Sequence, residues 1–290
     1  MINKIKCLRN IHYWLLTAWK IRKLNFVIIG AEKCGTTALF DWLVKHPYCI
    51  APNRKETRMF SLRYEKHFNV FHSISYFNPK EIFFRSRKHF LFEATPENIY
   101  LEEVAERIYR YNPDMKLILL VREPVSRAIS EYFFIRNLMA ENIAIWEDPE
   151  GKYKDKLLDS DHYPLSWFVG EELKIMKETG SFSFSTVLFP DFVRRGLYCE
   201  QLKWYYQYFK PEQILILENK DLKYRPIETL KQVESFLNIP HCNWENEKKV
   251  NSNVGVYTHQ ISDECKQMLY EFYKPWNEKF FDMIGYRMDW

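Results

Sequence analysis

The sequence predicts an α/β fold, a three-layer α/β/α sandwich around a central, mainly parallel sheet, on three observations. Two apolar runs without polar interruption, Leu117–Val121 and Ile214–Leu217, read as strands covered on both faces, as parallel strands are. Helical stretches alternate with the strand candidates, which implies right-handed crossovers. A third strand candidate, Phe26–Ile29, runs into a loop bounded by Gly30 and Gly35 and then into an amphipathic segment. Strand, tight glycine loop and helix in that order is the layout of a phosphate cradle.

The elements follow in order. Residues 1–24 are basic and partly apolar, with Lys4, Lys6, Arg9, Lys20, Arg22 and Lys23 flanking Ile11–Trp19. That apolar stretch is well short of the ~20 residues a bilayer span needs, and no small-residue cleavage site follows it. Two readings stay open: a surface helix packed on the domain, and a peripheral membrane contact through Trp14, Trp19 and the basic residues. The main domain is expected over residues 25–290. It begins with strand Asn25–Ile29 and helix Thr36–Lys45, whose Leu39, Trp42 and Leu43 share one side. A short strand is expected around Cys49–Ala51, then strand His89–Phe92, helix Asn98–Tyr111, strand Lys116–Val121 and helix Pro124–Met139, with Pro124 suited to the first helical position. Residues 140–196 are the least regular and read as an insertion or lid beside the site, not as a separate domain. Helix Tyr198–Phe209, strand Gln213–Leu217 and helix Pro226–Leu237 come next. The last helix, from Ser262 to about Met283, contains Pro275 and is expected to kink or break in two there.

At 290 residues with 47% hydrophobic content, one α/β domain with decorations and a full core is the natural reading. The net charge of +4 is too mild for a nucleic-acid binder driven by bulk charge, and it fits a single local anion pocket. The six cysteines form no C-x-x-C pair and no zinc spacing, which points to a reducing compartment and no metal.

Two segments carry the chemistry. In Gly30-Ala-Glu-Lys-Cys-Gly-Thr-Thr37, the backbone N–H groups of Gly35, Thr36 and Thr37 are expected to face an anion at the positive helix end, with the two threonine hydroxyls and the Lys33 charge added. The nucleoside-triphosphate loop G-x-x-x-x-G-K-[ST] would put lysine at position 36; here Thr36 stands there, and the lysine comes two residues before Gly35. In Leu119-Leu-Val-Arg-Glu-Pro-Val-Ser-Arg-Ala-Ile-Ser-Glu-Tyr132, Arg122 leaves a strand just before a helix. Arg122 and Ser130 are candidates to grip a second phosphate, the guanidinium through two N–H groups and the serine through its hydroxyl. Two anion grips on neighbouring strands describe a nucleotide phosphorylated at both 3′ and 5′.

This pair of motifs resembles the 5′-phosphosulfate loop and 3′-phosphate segment of the Golgi-type and bacterial sulfotransferases that use PAPS (3′-phosphoadenosine 5′-phosphosulfate). Further matches are Phe92-Glu-Ala-Thr-Pro-Glu-Asn98, similar to the family's Glu-x-Ser/Thr-Pro segment, then Arg195–Leu202 with Gln213–Leu222, and Tyr270–Asn277 through Trp290. The likeness covers residues 25–290. It implies a P-loop-like sulfotransferase fold, PAPS as co-substrate, no metal, and a carbohydrate hydroxyl, or an amine, as acceptor. Lys33 would stabilise the leaving phosphate, and Cys34, Gly35, Thr36, Thr37, Arg122 and Ser130 would hold the nucleotide.

The acceptor proton needs a base, a step worth typically 10²–10⁴-fold. In the glycan sulfotransferases a glutamate in the segment matching Arg54-Lys-Glu-Thr-Arg-Met-Phe-Ser61 serves, which maps to Glu56. Lys55, Arg58 and Ser61 beside it are candidate acceptor contacts. None of His46, His67, His72 and His89 sits in the context of the histidine base used by phenol and steroid sulfotransferases. The resemblance breaks at the basic, glycine-containing loop that folds over the donor. The corresponding Asn253–Ile261 keeps Thr258 and His259, with Tyr257 beside them, and lacks the basic residues, so Lys248 or Lys249 would have to supply the charge. The rivals are a P-loop kinase or nucleotide hydrolase and a sulfonucleotide-binding module without turnover. A cytosolic donor and no membrane span suggest a cytoplasmic enzyme, at most associated with the inner membrane surface.

Overall fold

The computed structural model describes residues 23–64, 69–84, 88–143, 151, 153–179, 191–244 and 256–290. The expected helix within residues 1–24 falls almost wholly outside them, as do Lys248, Lys249 and Gly255. In chain order the elements are β1 (Phe26–Gly30), α1 (Thr36–Lys45), β2 (Cys49–Ile50), α2 (Val70–Ile74), α3 (Pro79–Phe84), β3 (Phe90–Ala94), α4 (Glu102–Tyr111), β4 (Lys116–Val121), α5 (Pro124–Ala140), α6 (Lys154–Leu158), α7 (Leu165–Thr179), α8 (Tyr198–Tyr206), β5 (Ile214–Glu218), α9 (Asn219–Tyr224), α10 (Pro226–Leu237) and α11 (Asp263–Ile284).

The five strands form one sheet in the order β2-β3-β1-β4-β5, and every pairing is parallel. β1 and residues 117–121 of β4 are buried throughout, which is why they read as unbroken apolar runs. Phe26 of β1 stacks on Phe92 of β3 with centroids 4.8 Å apart, and α1 closes over this face with Leu39, Phe40, Trp42 and Leu43. After β1 the chain lays β2 and β3 on one side, then crosses to β4 and β5 on the other. The carboxyl end of β1 is therefore a switch point, the place where open α/β sheets bind ligands.

Three expectations change. β3 continues past Phe92 through Glu93 and Ala94, because Glu93, although charged, is fully buried within the strand. The expected helix over Asn98–Tyr111 is two pieces, a 3₁₀ turn at Pro96–Ile99 and α4, separated by Leu101 in extended conformation. Pro275 does not break the last helix: α11 runs unbroken from Asp263 to Ile284. Pro275 and Glu271, whose carbonyl loses its partner, are both exposed, so water can satisfy that oxygen, while Leu269, Tyr273, Phe280 and Phe281 pack both halves onto the same core. Within the stretch 140–196 expected to be irregular, the described residues include a 15-residue helix, α7.

Candidate active site

The site forms beyond the carboxyl ends of β3, β1 and β4. The loop after β1 is fixed by three bonds: Ala31 N–H donates to Leu120 O on β4 (2.7 Å), Cys34 N–H to Ala31 O (3.2 Å), and the Asn219 amide to Cys34 O (3.0 Å). Gly35 ends the loop at φ 92°, in the left-handed region, and a Cβ there would lie 2.6 Å from Asn219 Nδ2. Glycine is required on both counts. No side chain caps α1, so its first N–H groups are left for an anion. The second helix start differs. Glu123 accepts from Val125 N–H (2.8 Å) and Ser126 N–H (2.7 Å), so α5 is closed by its own carboxylate. An anion near β4 must then be held by side chains.

Lys33 also has left-handed backbone (φ 64°), and its ammonium sits 3.5 Å from the centroid of the Phe134 ring on α5. Burial lowers its pKa and the neighbouring Arg122 and Arg127 charges lower it further, against the opposing pull of Glu32 and Glu131. Arg122, the first residue after β4, has a guanidinium without an ion-pair partner among the described residues, and so does the Lys33 ammonium. Ser130 lies four residues before Phe134, on the same face of α5.

One phenol joins the two grips. Tyr198, buried at the start of α8, donates to Arg122 O (2.9 Å), accepts from Arg122 N–H (3.3 Å), and contacts Cys34 Sγ at 3.4 Å. Tyr198 thus ties the main chain at Arg122 to the loop that carries Lys33, and the Arg122 charge is felt at the Lys33 ammonium. Cys34 changes role: its N–H, carbonyl and thiol are all engaged inside the protein, and burial pushes the thiol up to about 11. It shapes the loop and does not offer its side chain to a ligand. Thr36 is likewise buried, whereas Thr37 is half-buried.

Beneath the loop lies a buried charge chain. Arg127 and Arg195 both pair with Glu131, and Arg195 Nη1 reaches Glu32 Oε2 at 2.7 Å. Burial raises the pKa of Glu32, but Arg195, Lys33, Arg127 and Lys55 outweigh it, so the net shift is downward. Arg127 is therefore scaffold: its other terminal N–H group goes to the Phe192 carbonyl. Glu172, on α7, takes the N–H groups of Val193 (2.8 Å) and Arg194 (2.7 Å), and burial pushes its carboxyl up to about 7.

The segment with the candidate base is bound to the end of β3. Glu56, at φ 60°, is held by its N–H to Ala94 O (3.0 Å); its carboxylate accepts from Lys55 Nζ (2.8 Å) and lies 3.9 Å from Arg58 Nη2. The side chain is 38% exposed. Arg58 also reaches Glu97 Oε2 through Nε (3.6 Å). Ser61 is a correction: it is buried and its hydroxyl donates to Glu97, so it braces the loop and is not presented to an acceptor.

Tyr257, Thr258 and His259 lie against the aromatic residues of α5: Tyr257 and His259 each sit 4.9 Å from the Phe133 ring. Burial and the Arg136 charge lower the His259 pKa. His259 also lines a cavity of about 300 Å³ with Asp161, Leu165 and Ser262. Phe133 is next in sequence to the Phe134 that carries Lys33, so this segment borders α5 without showing a contact to the phosphate loop. Sequence reasoning missed Tyr198, Asn219 and Glu123 as organisers. Only Glu123 left a local signal, a carboxylate directly before a helix-starting proline.

A parallel sheet thus ends at a helix start without a side-chain cap, with Lys33 and Arg122 after two adjacent strands and no ion-pair partner for either among the described residues. The family model described as "Sulfotransferase domain" matches residues 24–260, and the chain belongs to the PAPS-dependent sulfotransferase family; it is a transferase enzyme. "Heparan sulfate glucosamine 3-O-sulfotransferase 5" of Mus musculus is 27% identical over 91% of this chain and 73% of that relative. "Membrane-associated sulfotransferase kil1" of Dictyostelium discoideum is 27% identical over 92% of this chain and 66% of its own length. The crystal structure of a sulfotransferase from Alicyclobacillus acidocaldarius shares the fold, with a TM-score of 0.61 at 19% identity over 92% of this chain and 98% of that one.

Proposed function

We propose that this enzyme moves a sulfuryl group from PAPS to a carbohydrate hydroxyl, with a sugar amine as the alternative acceptor. The observation that supports the reading is the tie through Tyr198, whose hydroxyl binds the Arg122 main chain and touches Cys34 in the loop of Lys33, while β3, paired with β1, binds a loop with a half-exposed glutamate. The donor's 5′ end fits the α1 start and Lys33; its 3′-phosphate fits Arg122 and Ser130. In the transfer, the acceptor oxygen bonds to sulfur as the bond from sulfur to the phosphate oxygen breaks. Lys33 neutralises charge on the departing phosphate, and Glu56 accepts the acceptor proton. The kinase reading wanted a lysine at 36, where Thr36 is buried. Relatives named for heparan sulfate glucosamine make a glycan the first acceptor to try. One relative is named membrane-associated; among the described residues no helix is long and apolar enough to cross a membrane, and contact through residues 1–24 at the cytoplasmic face is part of the proposal.

The test is radiolabelled sulfate transfer from PAPS to a glycan panel that includes desulfated heparan sulfate, run beside calorimetry with adenosine 3′,5′-bisphosphate. Glu56→Gln should keep bisphosphate affinity and lose at least a hundredfold in turnover. Bisphosphate binding without transfer to any glycan would leave a sulfonucleotide-binding module instead.

A further inference from the structure

We infer that Glu93 and Thr57 are positioning residues that aim the Glu56 carboxylate, so that the Glu93-Ala-Thr-Pro96 segment serves as the template of the base-bearing loop. The inference rests on the reading of Glu56 as the base. Thr57 lies between two residues in left-handed backbone, Glu56 at φ 60° and Arg58 at φ 58°. Neither has the freedom of glycine, and such conformations persist where the surroundings over-determine them. The end of β3 does so. Thr57 Oγ1 donates to Glu93 Oε2 (3.1 Å). Glu56 N–H, as described, goes to Ala94 O. Arg58 N–H donates to Thr95 Oγ1 (3.2 Å), and the Thr95 hydroxyl donates a hydrogen bond to the same Glu93 oxygen (2.7 Å). Asn98 Nδ2 takes the other carboxylate oxygen at 2.7 Å.

Three consecutive residues of the loop, Glu56, Thr57 and Arg58, are thus each bound by one of three strand-end residues, Ala94, Glu93 and Thr95. Glu93 is fully buried and touches nothing outside this array in the hydrogen bonds described. Three donors meet its two oxygens. A buried carboxyl group given wholly to orienting a three-residue strained turn is costly for the fold alone. The turn carries the half-exposed Glu56, so the return on that cost is the direction of one carboxylate.

Replacing Glu93 risks the fold, so Thr57→Val is the discriminating change: it keeps the shape and removes one hydroxyl. Turnover is read as bisphosphate released from PAPS, with desulfated heparan sulfate and, separately, with water as acceptor. Thr57→Val should lower kcat at least tenfold, because small misplacements of a catalytic group are amplified in rate. Bisphosphate Kd should stay within twofold, and Thr57→Ser should recover kcat to within threefold of the parent. In a Glu56→Gln background, Thr57→Val should add less than a twofold loss, since a residue that acts through Glu56 has nothing left to aim. Equal losses in both backgrounds, or a Thr57→Val kcat within twofold of the parent, would overturn the inference while leaving Glu56 as base. Full turnover by Glu56→Gln alone overturns both.

Discussion

Gly35→Ala isolates what the phosphate loop demands of its backbone. Alanine at φ 92°, ψ 17° costs about 1–2 kcal/mol in the left-handed region. Its Cβ also meets Asn219 Nδ2 at 2.6 Å. The amide must turn away, giving up its bond to Cys34 O, worth about 1 kcal/mol. The sum is about 2–3 kcal/mol, charged to the loop conformation that presents Lys33 and the α1 start, so bisphosphate affinity should fall about 30- to 150-fold. Gly285 supplies an internal control: it has φ +79° with nothing within 4 Å of its would-be Cβ, so Gly285→Ala carries backbone strain alone. It should lower the melting temperature without changing bisphosphate Kd. Adding Asn219→Ala to Gly35→Ala relieves the clash, so the double variant should bind more tightly than the two single losses predict. Calorimetry with adenosine 3′,5′-bisphosphate measures all four. A Gly35→Ala protein that binds within threefold of the parent would refute the reasoning, because the loop would then tolerate another geometry in the bound state.

Other expectations follow from the same contacts. Arg122→Ala should weaken adenosine 3′,5′-bisphosphate by about 1.5–3 kcal/mol, the scale of a charged hydrogen bond, and leave adenosine 5′-monophosphate unchanged in calorimetry; equal losses for both ligands contradict the 3′ assignment. Tyr198→Phe removes the bond to Arg122 O and should reduce the preference for bisphosphate over monophosphate severalfold, at a cost of about 1 kcal/mol in stability; an unchanged preference sinks the coupling. Glu172 makes stability depend on pH. Its carboxyl rises from an ordinary 4.5 to about 7 in the fold, so the folded protein holds a proton that the unfolded chain releases. Its stabilising contribution is full below pH 4.5 and is lost as pH rises through about 7, at most about 3 kcal/mol. Glu93 titrates with the same sign, so the measurement is the difference between parent and Glu172→Gln in thermal denaturation. The variant should show the shallower decline between pH 5 and 7.5; parallel curves reject the assignment.

How far the sequence could be read depended on whether an interaction was local. β4, α1 and α10 were legible to the residue, because unbroken apolar runs and helix-starting Thr36 and Pro226 act over neighbouring positions. The spacing Leu165, Phe168, Val169, Met176 carries a helical stripe, but Glu172 occupies its central core position and hides it. Glu172 is there to bind Val193 and Arg194, a contact visible only in three dimensions. Glu93 shortened the expected β3 for the same reason. Lys33, Arg122 and Glu56 could be named as candidates from the sequence because the motifs that carry them are short. Tyr198 was not, since its partners lie 76 and 164 residues away. The charge chain from Arg127 to Glu32 is equally distributed: each arginine reads alone as a surface cation, and only the fold pairs it.

If the donor binds as proposed, Tyr198 would also set a rule for what the site admits. Because a single oxygen touches both Cys34 and the Arg122 main chain, the spacing of the two loops is held by one ring. A pocket of this kind works as a gauge: it rewards ligands whose negative ends are spaced to match and gives little to those charged at one end only. Adenosine triphosphate, abundant in any cell and carrying all its charge on one side of the ribose, would then be a poor competitor for the donor, without any feature built to exclude it.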